Sequence, residues 1–277
     1  MNQKIELKID ELQKIANFLH KNIGICLEEE KLKRFKRKIE DILIKNNIKT
    51  FNEFYHLIRF EKDEKLIQEL INAITINETY FWRENEQFEI LTKEILPQIV
   101  NNSKIKMPTI RILVLPTSSG EELYSIMISL LEDNKVINQA NIELLGVDID
   151  SSMISKAKMG LYSKRSVEKL PLNLINKYFT KIGNFYQIDK KLIKYANFLQ
   201  GNLFNEIFVS KLREFDVIFS RNMLIYFDKN DKQKAFNIFY NLLKKDGYLF
   251  LGHADGNFIS KEKFLHVKSG YHIFKKL

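Results

Sequence analysis

Three kinds of side chain in this sequence could do chemistry, and their positions favour a nucleoside-like ligand. Asp148 ends a predicted strand, where a carboxylate can accept hydrogen bonds from ribose hydroxyls. Arg83 follows three consecutive aromatic residues and can bind a carboxylate or stack on a ring. Glu121 and Glu122 begin a predicted helix after a turn of small residues, where two acids would repel phosphate. Because the turn has neither a lysine nor the GxGxxG pattern, it is not a phosphate cradle.

The segment around Arg83 contains further polar groups. Thr75 and Glu78 have the spacing of a capping box, which predicts a helix start, and Asn77 and Thr79 can hold unpaired helix amides. The aromatic residues 80–82 cannot all lie on one buried helical stripe. An exposed aromatic beside Arg83 would therefore add to a binding surface.

Apolar runs after this segment predict an α/β domain. Phe88, Leu91 and Ile95 predict a helix that ends at Pro97. The predicted strands are Ile110 to Leu115, Ile142 to Val147, a third finishing at Gly201 to Leu203, Phe215 to Phe219, Tyr248 to Leu251, and a closing hairpin about Ser269-Gly270. Alternating strands and helices followed by a hairpin predict a mainly parallel sheet with one antiparallel strand. This is the Rossmann-like arrangement of nucleoside-dependent methyltransferases.

The residues before this domain favour helices. From Ile5 to about Leu70, apolar residues recur at intervals of three and four, which predicts four amphipathic helices. The second helix carries six cations within eight positions, here called the basic face: Lys31, Lys33, Arg34, Lys36, Arg37 and Lys38. The basic face is interpreted either as a solvated surface or as an electrostatic docking surface.

Composition limits the possible partners and compartment. The 277 residues are 45% hydrophobic, enough for a packed core, and the net charge of +9 suits an acidic partner such as nucleic acid, an anionic membrane surface or a carboxylate-rich protein. The single cysteine, Cys26, excludes an internal disulfide and a zinc site built from cysteines, and predicts a reducing compartment. We find no signal peptide and no apolar run of membrane-spanning length, so a cytoplasmic protein is expected.

Several segments together resemble the CheR family of chemotaxis receptor methyltransferases. The matching segments are TINETYFWRE (75–84), SSGEELYS (118–125), GVDID (146–150), GNLF (201–204), FDVIFSRNMLIYFD (215–228) and GYLFLGHAD (247–255). The resemblance implies an α/β, class I (Rossmann-like) S-adenosylmethionine-dependent methyltransferase. It also implies that S-adenosylmethionine methylates glutamate side chains in the cytoplasmic domains of methyl-accepting chemotaxis receptors, with no nucleic-acid partner and no membrane insertion.

The resemblance also implies a domain division and a site. Residues 1–75 would form an all-helical domain, 76–108 linker helices that contribute to the cofactor site, and 109–277 the methyltransferase domain, with a small inserted β-subdomain at about 170–200. The implied cofactor contacts are Asn77, Thr79, Arg83, Glu121, Asp148, Asn202, Leu203, Arg221 and Asn222. Tyr226 and Arg83 would lie near the transferred methyl group, and no metal is implied. The reaction needs no base because a glutamate is already ionised at neutral pH.

Two alternatives stay open at this stage. Leu115, Pro116 and Thr117 stand where the family usually has Ala-Gly-Cys, and a proline removes an amide donor where glycine allows close approach. The first alternative is therefore a catalytically impaired protein that binds S-adenosylmethionine or receptor without transferring methyl. The second is a nucleic-acid methyltransferase, suggested by the charge; against it, no Asp/Asn-Pro-Pro-aromatic motif follows the fourth strand and no catalytic cysteine is available.

Overall fold

The computed structural model describes residues 5–133, 135–255, 259–268 and 270–277. Its helices are α1 (Ile9–Ile23), α2 (Glu29–Lys45), α3 (Phe51–His56), α4 (Glu64–Ile74), α5 (Glu86–Ile90), α6 (Leu96–Asn102), α7 (Glu121–Glu132), α8 (Ser151–Met159), α9 (Lys164–Val167), α10 (Leu172–Tyr178), α11 (Lys190–Tyr195), α12 (Glu206–Ser210) and α13 (Lys229–Leu242). Its strands are β1 (Thr109–Val114), β2 (Asn141–Asp148), β3 (Leu161–Ser163), β4 (Phe179–Ile182), β5 (Phe185–Ile188), β6 (Asn197–Gln200), β7 (Phe215–Ser220), β8 (Leu243–Leu251), β9 (Phe264–Lys268) and β10 (Ile273–Lys276).

The four predicted N-terminal helices are confirmed as α1 to α4. Their boundaries follow from side-chain caps: Thr50 accepts a hydrogen bond from the amide of Glu53 at the start of α3, and Asp63 accepts one from Leu66 at the start of α4. Gly24, with φ of 73°, ends α1 in the left-handed conformation. The apolar stripes of these helices face one another and form a separate core.

Two helix predictions near residue 75 and residue 97 are wrong. Thr75 starts no helix; it follows the end of α4, and its hydroxyl donates to Asp150 instead. The helix containing Phe88 does not end at Pro97 but continues to Asn102. A π-helical turn, Leu91–Ile95, directly precedes α6, so Pro97 occupies the first turn of a new helix, where an amide donor is not required.

The main sheet has seven strands in the order β6-β2-β1-β7-β8-β10-β9. The strands β6, β2, β1, β7 and β8 pair in parallel, while β10 is antiparallel to both of its neighbours. The predicted sheet with one antiparallel strand is confirmed. Ser269, in the predicted hairpin turn, lies outside the described residues.

A second sheet of three strands, in the order β3-β5-β4, forms an insertion beside the main sheet. It begins at Leu161, before the segment 170–200 in which we expected a small β-subdomain. The last strand of that segment, β6, pairs in parallel with β2 at the edge of the main sheet; it is the predicted third strand, and it ends at Gln200, just before Gly201. Because β3 has only three residues, its sequence does not distinguish it from a loop.

Phe81 connects the linker segment to this small sheet. The ring is fully buried and packs edge-on against Tyr162, at 4.8 Å between ring centroids, and against Phe179, at 5.1 Å. By contrast, 37% of Tyr80 is exposed. The three consecutive aromatic residues therefore divide between a structural anchor and a surface.

Candidate active site

One cavity lies at the carboxyl ends of β1, β2, β6 and β7, where the sheet order reverses on either side of β1. Nine of the ten predicted site residues line it: Asn77, Thr79, Arg83, Asp148, Asn202, Leu203, Arg221, Asn222 and Tyr226. Residues of the helical domain, including Ile25, Leu27 and Lys31, complete the wall. The linker segment, the sheet and the helical domain thus build the site jointly.

Glu121 is the predicted residue that does not line this cavity. Its side chain is buried elsewhere and accepts a hydrogen bond from the Ser119 hydroxyl at 2.7 Å, and burial raises its pKa. The next residue, Glu122, lines the cavity. Successive residues of an α-helix point about 100° apart, so only one of two adjacent glutamates in α7 can face the site. The sequence pattern did not show which one does.

The turn between β1 and α7 positions the Asp148 carboxylate. Asp148 accepts hydrogen bonds from the amide of Ser118 at 2.7 Å and from the amide of Asp150 at 2.9 Å. The turn ends at Gly120, which has a φ of 92° and where an added β-carbon would lie only 3.0–3.2 Å from neighbouring side-chain atoms. Burial raises the pKa of Asp148 to about 6, although both amide donors lower it. The carboxylate is thus held at the cavity wall and mostly ionised at neutral pH.

Pro116 fits this turn, and the residues on either side of it keep their backbone hydrogen bonds to the neighbouring strands. The flanking amides of Leu115 and Thr117 donate to the carbonyls of Phe219, at 2.9 Å, and Val147, at 2.8 Å. The turn is therefore tied to both neighbouring strands.

Asp150 is a residue that the sequence reasoning missed. It caps α8 by accepting hydrogen bonds from the amides of Ser152 and Met153. Its second oxygen accepts from the Thr75 hydroxyl at 2.6 Å and from the Asn77 amide at 2.8 Å. Burial acts to raise its pKa, but these hydrogen bonds together lower it. The second acid of the GVDID segment, followed by two serines, was the available signal for a helix cap.

Arg221 lines the cavity and lies at the centre of a buried charged cluster. Its guanidinium donates to the carbonyl of Arg83 at 2.6 Å, and its Nε lies 3.7 Å from carboxylate oxygens of both Glu84 and Glu122. Within the described residues, Nε and Nη1 of Arg221 have no hydrogen-bond partner. Burial raises the pKa of Glu122, although Arg221 opposes this effect. Two buried donors next to the cavity are thus available to a ligand.

Asn222 and Asp255 continue this cluster. The Asn222 backbone has φ of 60°, and its amide donates to the buried carboxylate of Asp255. Burial raises the pKa of Asp255 to about 6. Glu84, Glu122 and Asp255 come from three distant segments, so local sequence patterns did not associate them.

Arg83 and Tyr226 line the cavity and are both partly exposed. Arg83 is partly exposed; it donates to the Glu78 carbonyl at 3.1 Å and lies 5.7 Å from the centre of the Tyr80 ring. Tyr226 is half-buried in a short 3-10 turn, Leu224–Tyr226. Burial, followed by the nearby charge of Glu78, raises the pKa of Tyr226. Its hydroxyl therefore remains a donor at neutral pH.

Asn202 joins the cavity wall to the helical domain. Its side-chain amide donates to the carbonyl of Asn22 at 2.9 Å, and its side-chain oxygen accepts from the amide of Phe204. The neighbouring Leu203 is buried and gives the wall an apolar surface.

Two family profiles span nearly the whole chain. Residues 10–75 match the profile described as "CheR methyltransferase, all-alpha domain", and residues 77–273 match "CheR methyltransferase, SAM binding domain". The chain belongs to the CheR methyltransferase family. Its CheR relatives include "Chemotaxis protein methyltransferase 2" of Vibrio cholerae, which is 37% identical over 243 residues, covering 87% of this chain and 84% of that protein.

Two further CheR relatives match over similar lengths. "Chemotaxis protein methyltransferase" of Campylobacter jejuni is 37% identical over 259 residues, covering 92% of each chain. The protein of the same name from Borreliella burgdorferi is 32% identical over 259 residues, covering 92% of this chain and 90% of that protein. None of the helices in the described part of this CheR chain is long and apolar enough to cross a membrane.

As a CheR methyltransferase, the chain uses S-adenosylmethionine as its cofactor. The cavity residues fit this molecule chemically. Asp148 offers carboxylate oxygens that could accept from ribose hydroxyls, and Leu203 contributes to an apolar wall. Nη1 of Arg221, which has no hydrogen-bond partner among the described residues, and the guanidinium of Arg83 suit a carboxylate.

Proposed function

We propose that this protein is a protein-glutamate O-methyltransferase that modifies the cytoplasmic domains of methyl-accepting chemotaxis receptors. One observation carries the proposal. Nine site residues that the family resemblance implies, from segments as distant as Asn77 and Tyr226, line one cavity of this CheR-family chain. Relatives named chemotaxis protein methyltransferase support the receptor as substrate. The impaired alternative gains no support, since Pro116 is accommodated in the turn and the other site residues are present.

The proposed reaction requires alignment and charge neutralisation, and no proton transfer. Bound S-adenosylmethionine supplies an electrophilic methyl group, which becomes the methyl ester of the acceptor while the electron pair of the broken bond remains on sulfur. The acceptor glutamate is ionised at neutral pH and needs no base. We assign to Arg83 the neutralisation of negative charge during methyl transfer, and to the Tyr226 hydroxyl a hydrogen bond that orients the acceptor. Asp148 is assigned to the ribose.

We propose that the three parts of the chain have different roles in the reaction. Residues 1–75 cover the cavity and approach the receptor, residues 76–108 supply Asn77, Thr79 and Arg83, and residues 109–277 hold the remaining cofactor contacts. Interactions across the boundary support this arrangement. Gln68 and Asn72 of α4 donate to Ile149 and Ser151, at the carboxyl end of β2 and the start of α8.

The basic face of α2 is the proposed receptor contact. Lys31 lines the cavity, so the basic face begins at the site itself. Arg34 and Arg37 are exposed, whereas Lys33 is paired with Glu29 at 2.7 Å. Helices that present several glutamates for methylation are locally negative, and opposite charges raise the association rate. This attraction should weaken as salt is added, because screening acts over about 8 Å at physiological ionic strength.

The decisive experiment measures transfer of labelled methyl from S-adenosylmethionine to purified receptor cytoplasmic domains. A base-labile label that is lost when the receptor glutamates are changed to glutamine is the expected result. Failure to label any receptor domain, under conditions in which S-adenosylhomocysteine binds, would instead support a protein that retains the cofactor but does not transfer methyl.

The basic face is tested with Lys33→Glu, Arg34→Glu and Arg37→Glu combined. This variant should raise KM for the receptor at low salt and leave S-adenosylhomocysteine affinity unchanged. The matched control reverses three exposed lysines of α11, Lys190, Lys191 and Lys194, and should leave KM unchanged. Equal effects of the two triple variants would show that net charge, rather than the basic face, governs receptor binding.

A further inference from the structure

Side chains with different metal-binding atoms converge where the helical domain meets the methyltransferase domain. His20 lies in the last turn of α1, Cys26 follows that helix, and Asp228 caps α13. One donor atom from each of these three residues lies within 4.8 Å of the other two. Oδ2 of Asp228 is 3.1 Å from Nε2 of His20, and Oδ2 of Asp231, outside this group of three, is 2.9 Å from the same nitrogen.

We propose that His20, Cys26 and Asp228 form a binding site for zinc or a similar divalent transition-metal ion. Imidazole nitrogen, thiolate sulfur and carboxylate oxygen are the donors that zinc prefers, and three of them together with one solvent molecule make a tetrahedral site. Bond lengths of about 2.0–2.3 Å place tetrahedral donors about 3.4 Å apart. The separation of 3.1 Å between Nε2 of His20 and Oδ2 of Asp228 is already close to this value, and side-chain rotation can bring Sγ of Cys26 from within 4.8 Å to the same distance.

The charges around these side chains favour a cation. Two carboxylates meet at one imidazole nitrogen, and Lys234 pairs with Asp231 through the other carboxylate oxygen, at 2.8 Å. Asp228 would bind the ion through Oδ2, and Asp231 adds a second negative charge beside His20. On binding, the ion replaces the proton on Nε2 of His20 and the proton on the Cys26 thiol, and any proton displaced from either group passes to solvent.

The presence of only one cysteine in the chain does not exclude this site, since the site requires only one thiolate. The bound ion would link α1 and the following segment to the start of α13. The same segment already contacts the methyltransferase domain: the amide of Cys26 donates to the carbonyl of Tyr226 at 2.9 Å, and Ile25 forms a β-bridge with Phe227. The proposed ion therefore fixes a wall of the cavity that holds Tyr226 and Ile25.

Titration of the full chain with Co²⁺, after treatment with a chelator, tests the proposal. Sulfur bound to Co²⁺ gives a charge-transfer absorption in the near ultraviolet, and Cys26 is the only cysteine that can produce it. We expect saturation at one equivalent, an intense visible spectrum typical of tetrahedral Co²⁺, and loss of both signals when one equivalent of Zn²⁺ is added.

Three variants complete the test. Cys26→Ser should abolish the charge-transfer band, and Asp228→Asn should weaken Co²⁺ binding at least tenfold while retaining a side-chain oxygen that can cap α13. His56→Gln is the control, because His56 lies in another helix, where it contacts Glu61 and the ring of Phe60. Absence of the band in the unmodified protein would overturn the proposal and leave His20 as an ion-pair partner of the two aspartates. This result does not depend on whether any variant folds.

Discussion

Asp148 should make the affinity for S-adenosylhomocysteine depend on pH near 6. Its carboxylate is buried at the end of β2, and burial raises its pKa to about 6 in the free protein. Ribose hydroxyls donate hydrogen bonds most strongly to the ionised carboxylate. Because the ligand favours the ionised form, affinity should rise as pH increases through 6 and become constant above about 7.

The size of the effect follows from the ionised fraction. A carboxyl group with a pKa of about 6 is about nine-tenths ionised at pH 7 and about one-tenth ionised at pH 5. If only the ionised form binds, affinity at pH 5 should be about tenfold lower, which corresponds to about 1.4 kcal/mol. The carboxyl and amino groups of the ligand itself titrate outside this range.

Isothermal titration calorimetry at pH 5, 6, 7 and 8 measures this dependence directly. Asp148→Asn should bind more weakly at pH 7 and lose most of the pH dependence. Asp255→Asn is the necessary control, since burial also raises the pKa of Asp255 to about 6 beside Asn222. Affinity that is constant from pH 5 to 7, or a tenfold change that persists in Asp148→Asn, would refute the assignment of Asp148 to the ribose.

Three other variants test the remaining roles. Arg83→Ala should lower both S-adenosylhomocysteine affinity and kcat, whereas Tyr226→Phe should mainly lower kcat, because the Tyr226 hydroxyl orients the acceptor without holding the cofactor. Calorimetry measures the affinities and steady-state kinetics measures kcat. The opposite pattern would exchange the two roles. Phe81→Ala should reduce the free energy of unfolding in urea by about 3–5 kcal/mol, since the ring is fully buried. The partly exposed Tyr80 is the control: Tyr80→Ala should cost much less, and equal losses would contradict the assignment of Phe81 as the structural anchor.

Much of the site could be predicted from the sequence because parallel strands bring their carboxyl ends to one edge. Asp148, Asn202 and Arg221 each follow a predicted strand, so their approach in space follows from strand order once the sheet is parallel. The N-terminal helices were predictable for a local reason, namely apolar spacing that matches the helical repeat. The family segments then indicated which polar residues to consider together.

Features that depend on orientation needed the tertiary structure. Glu121 and Glu122 are adjacent and chemically identical, and only the packing of α7 decides that Glu122 faces the cavity. Thr75 has the spacing of a helix start, but an available acceptor at Asp150 places its hydroxyl in the wall between two domains instead.

Contacts between distant segments could not be predicted from sequence patterns either. Glu84 and Glu122 approach Arg221 only after the linker, α7 and β7 have packed together. His20 and Asp228 meet because the helical domain is seated on the methyltransferase domain. The sequence alone determined which residue types follow each strand, because that order is local. The tertiary structure decided which of these residues share a buried environment, because burial and charge pairing arise only when the segments pack.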